Sequence, residues 1–306
     1  MTAQSLGFHG IHFDNTDDVV VKLRNLLADP VARGMDFLRQ RSQQLFCETD
    51  QGVIIRDNFS QLLILEFTGE RNLVFLENGG NTWQYFIGER AFTDSNFPQD
   101  VDTTSLALVT LSIPSEQKEQ AMQKILGNLS ADGLPLAYFD SLRPRFCPYV
   151  AANVLRLFYL NGQGRKLQAT LQYLCRILCT QAYEVGSRYY RHPDWIIYYL
   201  ADLCCKCTDP DLEELREVVT KQLKRRMGTD KEVLAAALRL LAAQSLDLDS
   251  PEDLQTLLTT QQLDGGWELG WMLTYGNVAV KIGNRGVTTS MAVKAIRVAY
   301  ERPCIT

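Results

Sequence analysis

A chain of 306 residues with 46% hydrophobic and 22% charged side chains has the composition of a globular protein, and at this length it buries roughly three quarters of its unfolded surface. A net charge of −5, from 31 basic and 36 acidic side chains, with no long basic run, excludes a nucleic-acid footprint; the short run Lys221–Arg226 follows acidic residues on the same helical stretch and reads as a solvated face. No stretch of about 18 apolar residues could span a membrane, and the polar segment Met1–Asn15 lacks a signal-peptide core, so a cytoplasmic protein is expected.

In chain order, Val19–Ala28 is a short apolar-rich segment ending before Asp29-Pro30. Val31–Glu48 follows as an amphipathic helix with Met35, Leu38 and Leu45 at helical spacing. Gly52–Arg56 reads as a short extended stretch, Phe59–Phe67 as a buried helix, and Gly79-Gly80-Asn81 as a break. Phe97-Pro98 leads into Asp100-Val101-Asp102-Thr103-Thr104 and an apolar run to Ile113, after which Glu116–Leu129 is again amphipathic. Asp132–Pro135 is a turn and Tyr138–Pro148 is irregular. The clearest helices are Tyr149–Leu160, Arg165–Ala182, Asp194–Cys207, Leu212–Met227 and Lys231–Ser245. Pro251–Gln261 is shorter, Asp264–Trp267 is a loop, and Val287–Tyr300 is the last helix. This is an all-α pattern of about twelve helices, few segments reading as strands; short links between helices favour antiparallel neighbours. Helical hairpins stacked side by side or closed into a ring fit this pattern equally. No Pro/Ser-rich linker divides the chain, so residues 1–306 are expected as a single domain, residues 1–17 forming a loosely packed arm.

Asp100-Val101-Asp102-Thr103-Thr104 stands after a proline and directly before an apolar helix. An Asp there caps a helix and complements its dipole. Alternatively, a carboxyl in an apolar pocket has a raised pKa and, once neutral, can protonate an alkene; Asp100, Thr103 and Thr104 would then position Asp102. Arg143 and Arg145 flank Pro144 in an irregular stretch, and an Arg fork matches phosphate oxygens, as it also matches Asp140. Lys281 and Arg285 lie in a Gly-rich stretch leading into a helix, a ready anion site or a surface turn. Gln261–Glu268 can tie a helix end to its neighbour through the Gln amide and the Trp ring. Tyr138, Tyr189, Trp195, Trp267, Trp271 and Tyr275 could stabilise a carbocation through their faces, though aromatics also simply fill cores. His192 is the sole histidine base in the body of the chain, which leaves few possibilities for Ser-His or Cys-His chemistry. Eight cysteines read as reduced thiols. Cys204, Cys205 and Cys207 lack the further ligands a closed zinc site needs.

Taken in order, several segments resemble the fungal Asp-x-Asp-Thr-Thr sesquiterpene cyclases, a family grouped with haloacid-dehalogenase-like proteins. They are Asp57–Glu66, Phe97–Thr104, Tyr138-Phe139-Asp140 with Arg143-Pro144-Arg145, Asn153-Val154-Leu155 with Phe158-Tyr159, Asp264–Trp267 and Ile282–Thr289. The resemblance implies an α/α barrel (toroid) like one domain of the class II terpene cyclases, with Asp102 as proton donor. It also implies farnesyl diphosphate as substrate and Mg²⁺ to neutralise the diphosphate, held through the diphosphate itself with Asp100 or Asp140 as further ligands. Many relatives carry a fused phosphatase domain, absent here, so a separate phosphatase or tailoring enzyme would act downstream. Some stand-alone relatives instead ionise the diphosphate and form humulene- or brasilane-like skeletons. The missing phosphatase tips the expectation towards diphosphate release; the motif itself points to protonation by Asp102 and a drimane-type bicyclic diphosphate. A helical-repeat binding module without catalysis is the alternative of another class, against which stands the lack of a repeat period.

Overall fold

Helix boundaries follow local capping chemistry. In a computed structural model, which describes residue 11 and residues 15–77, 79–275 and 279–302, Asn15, Asp57, Asp100 and Asn284 each accept an amide from the first turn of α1 (Thr16–Leu27), α3 (Asn58–Thr68), α4 (Val101–Thr110) and α12 (Arg285–Glu301). Proline opens α2 (Pro30–Gln40), α6 (Pro148–Leu160) and α11 (Pro251–Thr260), where its missing N–H costs nothing. The remaining α-helices are α5 (Ser115–Leu126), α7 (Gln168–Cys179), α8 (Asp194–Lys206), α9 (Glu213–Arg226) and α10 (Val233–Ser245), making twelve among the described residues. Most of the expected N-terminal arm, together with His9, His12 and Cys304, lies outside the described residues.

Two kinds of helix share the work. α6, α8 and α10 are buried on nearly every side, as helices apolar all round must be. α5, α7, α9 and α11 bury only one stripe. Contacts between the buried kind run α3 to α4, α4 to α6, α6 to α8, α8 to α10, α10 to α12 and α12 back to α3, a closed cycle of neighbours. The one-sided helices pack outside it: α2 on α12, α5 on α4, α7 on α6, α9 on α8, and α11 on α10 and α12. Buried charges on the cycle's helices are paired, some with partners on the outer helices. Arg156 binds Glu66 and Asp202, and Arg239 binds Asp253 at 2.6 Å and Asp194, which Arg226 also holds at 2.6 Å.

The all-α expectation is corrected. A four-stranded antiparallel sheet, in the order β2-β1-β4-β3, is built from β1 (Cys47–Thr49), β2 (Ile54–Ile55), β3 (Trp271–Tyr275) and β4 (Val280–Gly283). The helix expected over Val31–Glu48 therefore stops at Gln40, and its last residues enter β1. Strands of two to five residues carry too little alternation to stand out from the helical background.

Candidate active site

Asp100 begins the site. Its side chain accepts the amide of Thr103 at 2.7 Å while its own backbone bridges to Tyr138, so capping α4 also stitches the helix start to the loop before α6. Thr104 locks the same corner: its hydroxyl donates to the Asp100 carbonyl at 2.7 Å and accepts the Trp83 amide at 2.8 Å. Thr104 is therefore a brace rather than a wall of the cavity, whereas Asp100, Asp102 and Thr103 line it.

Asp102 sits in the first turn of α4 and points inward between α6 and the loop before α8. Asn153 Nδ2 donates to its Oδ1 at 2.9 Å, and the Tyr190 hydroxyl donates to its Oδ2 at 2.5 Å. The residue is only 9% exposed. Burial raises its pKa to about 6, against the two donors, which favour the charged form. Asp100 is raised further, to about 7, by burial and by the neighbouring Asp102 charge, again against the Thr103 amide. Thr103 also sets its hydroxyl beside the Asp100 carboxyl, without the geometry of a hydrogen bond. Tyr190 is itself held between rings, stacked on Tyr149 at 5.0 Å and meeting Phe59 edge-on at 6.3 Å. Its hydroxyl is thereby aimed at the acid.

These carboxyls face a cavity of about 260 Å³. Its wall is assembled from the N-terminal ends of α3, α4 and α6, the loops before α4, α6 and α8, and the sheet, through Leu273, Thr274, Tyr275 and Ile282. Main-chain bonds seal the joints: the Thr274 amide donates to the Tyr189 carbonyl at 2.6 Å, and the Arg191 amide to Met272 at 3.3 Å. Arg143, Arg145 and Arg188 line the same cavity, as does Asp94. Arg143 lies between two carboxylates, 3.4 Å from Asp94 and 3.3 Å from Asp140, with its guanidinium over Phe97. Tyr138 packs edge-on against Phe97 at 5.4 Å and Tyr189 at 6.1 Å, and Tyr275 tilts against Phe86 at 6.5 Å. The result is one apolar chamber with an acid pair in its wall and a cluster of guanidinium groups.

Several sequence candidates are corrected. Arg285 does not line the cavity: it is bound by Asp264 at 2.8 Å, donates to the Trp267 carbonyl at 2.7 Å and covers Phe37. Lys281 is also off the cavity, since it alternates with the lining residue Ile282 along β4. Trp267 is wholly buried elsewhere, its indole N–H donating to the Leu257 carbonyl at 2.8 Å; beside it the Gln261 amide donates to Pro30 and Gly265, which ties α11 to α2. Trp195 backs Tyr190 from outside the chamber, 6.0 Å between centroids, and Trp271, at the start of β3, is not part of the wall. Among the described residues no group of three or more His, Cys, Asp or Glu side chains could hold a metal, the Cys204–Cys207 stretch included. Asp100 spends one oxygen on an amide and has a raised pKa, a poor match to Mg²⁺, which binds ionised oxygen ligands. His192 pairs with Glu232 at 3.2 Å and lies off the cavity wall.

Reasoning from sequence missed Arg188 and Asp94, each an isolated charge in an irregular segment. Tyr190 was one of a crowd of aromatics, and Asn153 was one letter of an ordered resemblance; nothing local marks either as a partner of Asp102.

Fold and site together define a class. The fold is that of the type II terpene cyclases: type II terpene cyclase MstE from Scytonema superposes with a TM-score of 0.63 at 12% identity, over 89% of this chain and 98% of that one. A variant of MstE in complex with its product merosterolic acid A superposes at 0.64 and 13% identity, over 92% and 99%. Within that class, residues 31–161 match the family described as sesquiterpene cyclase astC-like C-terminal domain. Drimenol cyclase drtB of Aspergillus calidoustus is 36% identical over 296 residues, which are 96% of this chain and 56% of that protein. The resemblance carried by the Asp-x-Asp-Thr-Thr segment is thus borne out: the chain is similar to the astC-like sesquiterpene cyclases. It spans little more than half the length of the curated relative it matches.

Proposed function

We propose that the chain is a sesquiterpene cyclase that protonates farnesyl diphosphate with Asp102 and closes it to a drimane-type bicyclic diphosphate, inside an α/α barrel formed by the closed cycle of helices. The observation that carries this reading is a buried carboxyl, Asp102, in the wall of a largely apolar cavity, with a hydrogen-bond donor on each oxygen. Burial raises its pKa to about 6, which leaves a protonated fraction available near neutral pH, and the two donors stabilise the carboxylate left after proton transfer. The terminal alkene takes the proton, the chain's remaining double bonds close the rings, and the rings of Phe59, Tyr138, Tyr189 and Tyr190 offer their faces to the travelling charge, each worth about 0.5–2 kcal/mol. The drimenol cyclase relative supports the same skeleton.

Arg143, Arg145 and Arg188 would hold the diphosphate, since guanidinium forks match its oxygens. Mg²⁺ fits this region. It is commonly held by one or two carboxylates and the substrate phosphates, keeping several waters, and Asp94 and Asp140 flank Arg143. The ion would supply charge neutralisation of the diphosphate. The reading in which the diphosphate is ionised and released gives way to protonation. It leaves the buried, donor-held Asp102 without a role, whereas arginines and carboxylates serve diphosphate binding in either reaction.

Incubation with farnesyl diphosphate and Mg²⁺, followed by mass spectrometry with and without added phosphatase, tests the proposal. A bicyclic alcohol seen only after phosphatase treatment is expected; free hydrocarbon with pyrophosphate release would refute it. The variant D102N should lose about 10³-fold in turnover while keeping its melting temperature.

A further inference from the structure

The two donors to Asp102 come from separate parts of the chain: Asn153 belongs to α6, and Tyr190 to the loop before α8. One small side chain joins those parts. The Ser187 hydroxyl oxygen accepts the amides of Tyr189 at 3.2 Å and Tyr190 at 2.9 Å, and the Cys147 thiol donates to the same oxygen at 3.5 Å. Cys147 is the N-cap residue of α6, the helix that carries Asn153 and also Tyr149, whose ring stacks on Tyr190. The Ser187 amide donates to the Tyr190 carbonyl at 3.1 Å and closes the turn. A serine hydroxyl bonded to amides two and three residues ahead holds such a turn in one conformation. The turn carries Arg188, Tyr189 and Tyr190, all of which line the cavity. On its far side it is held by the sheet, through the bridge from Tyr190 to Leu273 and the Thr274 amide on the Tyr189 carbonyl at 2.6 Å. Those are main-chain bonds that any residue at position 187 would leave in place.

On the protonation reading above, we propose that Ser187 is a positioning residue for the acid, fixing the turn against α6 so that the Tyr190 hydroxyl stays on Asp102 Oδ2. Ser187 lies outside the cavity wall and acts through Tyr190. The bond it protects is 2.5 Å long, and a hydrogen bond weakens steeply once the donor tilts or drifts. Without that donor Asp102 keeps only Asn153, burial is less offset, and the carboxyl becomes a weaker acid at the alkene. The titratable groups around Asp102 are Asp100 at the cap of its own helix, Cys147 at the start of α6, Tyr190 in the turn and Tyr199 on α8. Burial pushes the thiol up to about 11 and both tyrosines well above their usual range. Near neutral pH a moved rate profile therefore reports on the aspartate pair.

The test is a double-mutant cycle read by pH. kcat/KM for farnesyl diphosphate with Mg²⁺ is measured from pH 5 to 9 for wild type, S187A, S187T, Y190F and the S187A/Y190F double variant. S187A is expected to turn over about 2- to 10-fold more slowly, with the alkaline limb moved upward in the same direction as in Y190F. S187T keeps the hydroxyl and is expected to restore both. In Y190F the group that Ser187 positions is already gone, so adding S187A should leave rate and limb where Y190F puts them. A general loosening of the loop would not give that non-additivity. An S187A limb at the wild-type position, or an S187A loss that adds in full to that of Y190F, would overturn the assignment and leave the protonation reading standing. Should S187A fail to fold, S187C, whose sulfur is a weak acceptor, decides by the same measurements. Wild-type product made in D₂O without solvent deuterium would overturn the protonation reading and the role of Ser187 with it.

Discussion

Asp102 depends on one hydroxyl more than on any other group. Removing it in Tyr190→Phe keeps the ring stacked on Tyr149 and deletes the 2.5 Å bond to Oδ2. A hydrogen bond to a charged group is worth roughly 1.5–3 kcal/mol, so the Asp102 pKa should rise by about one unit or more and the acid weaken. Turnover should fall about tenfold or more on that scale, and the alkaline limb of the rate profile should move upward. In the native enzyme that limb has a definite sign. The donor must carry its proton, and folded-state pKa values raised to about 6 and about 7 belong to the coupled pair. kcat/KM is therefore expected to fall as pH climbs through this window, with the apparent pKa of the free enzyme. Stability changes in the same direction: a carboxyl raised in the folded state favours folding at low pH and loses that contribution as pH rises past its folded value. A rate profile flat from pH 5 to 9 would rule out Asp102 as the donor.

At the scale of elements, inner and outer helices are tied together by buried charges. Arg239 on α10 is fully buried and bound to Asp253 on α11 at 2.6 Å and to Asp194 on α8 at 3.4 Å. Asp253→Ala leaves that guanidinium short of its main partner and should cost about 3–5 kcal/mol, read from denaturant unfolding. Asp253→Asn, which keeps a hydrogen-bond acceptor, should cost less. The loop after α11 is similarly intolerant. Gly265 has φ of +89°, and a Cβ there would stand 2.4 Å from the Arg33 carbonyl oxygen, so Gly265→Ala is expected to loosen α2 from α11 and lower the melting temperature. Neither change touches the cavity wall, so the product skeleton should be unaltered at temperatures where the variants stay folded.

The whole molecule is a closed set of helices whose loops at one end make a chamber. Ligand occupancy at that end should therefore be felt by the entire fold. In the D102N variant, which cannot protonate the alkene, farnesyl diphosphate with Mg²⁺ is expected to stabilise the protein by about 2.7 kcal/mol at a hundredfold excess over its Kd, seen as a rise in Tm. Arg145→Gln should shrink that rise at a fixed ligand concentration, whereas Arg285→Gln, whose side chain is tied to Asp264 away from the chamber, should not.

Local chemistry was legible wherever the cause is local. The Asp100 cap, the prolines opening α2, α6 and α11, and the apolar runs of α6, α8 and α10 depend on a few neighbouring residues, and sequence alone placed the starts of these helices, and the ends of all but α2, to within a turn. The order of motifs marked the family and included Asp100, Asp102, Thr103, Tyr138, Arg143 and Arg145, while Tyr189 and Tyr275 stood out only as aromatics; all of them line one cavity. Tertiary structure alone decided the rest. Tyr190 and Asn153 reach Asp102 from 88 and 51 residues away, and no spacing rule encodes such a meeting. The strands are too short to signal themselves and exist because β1 and β4, far apart in the chain, pair across the end of the helix cycle. Arg285, Lys281 and Trp267 carry the right chemistry for a diphosphate or a cation and are spent elsewhere, because whether a side chain serves a site depends on which way the packed backbone turns it.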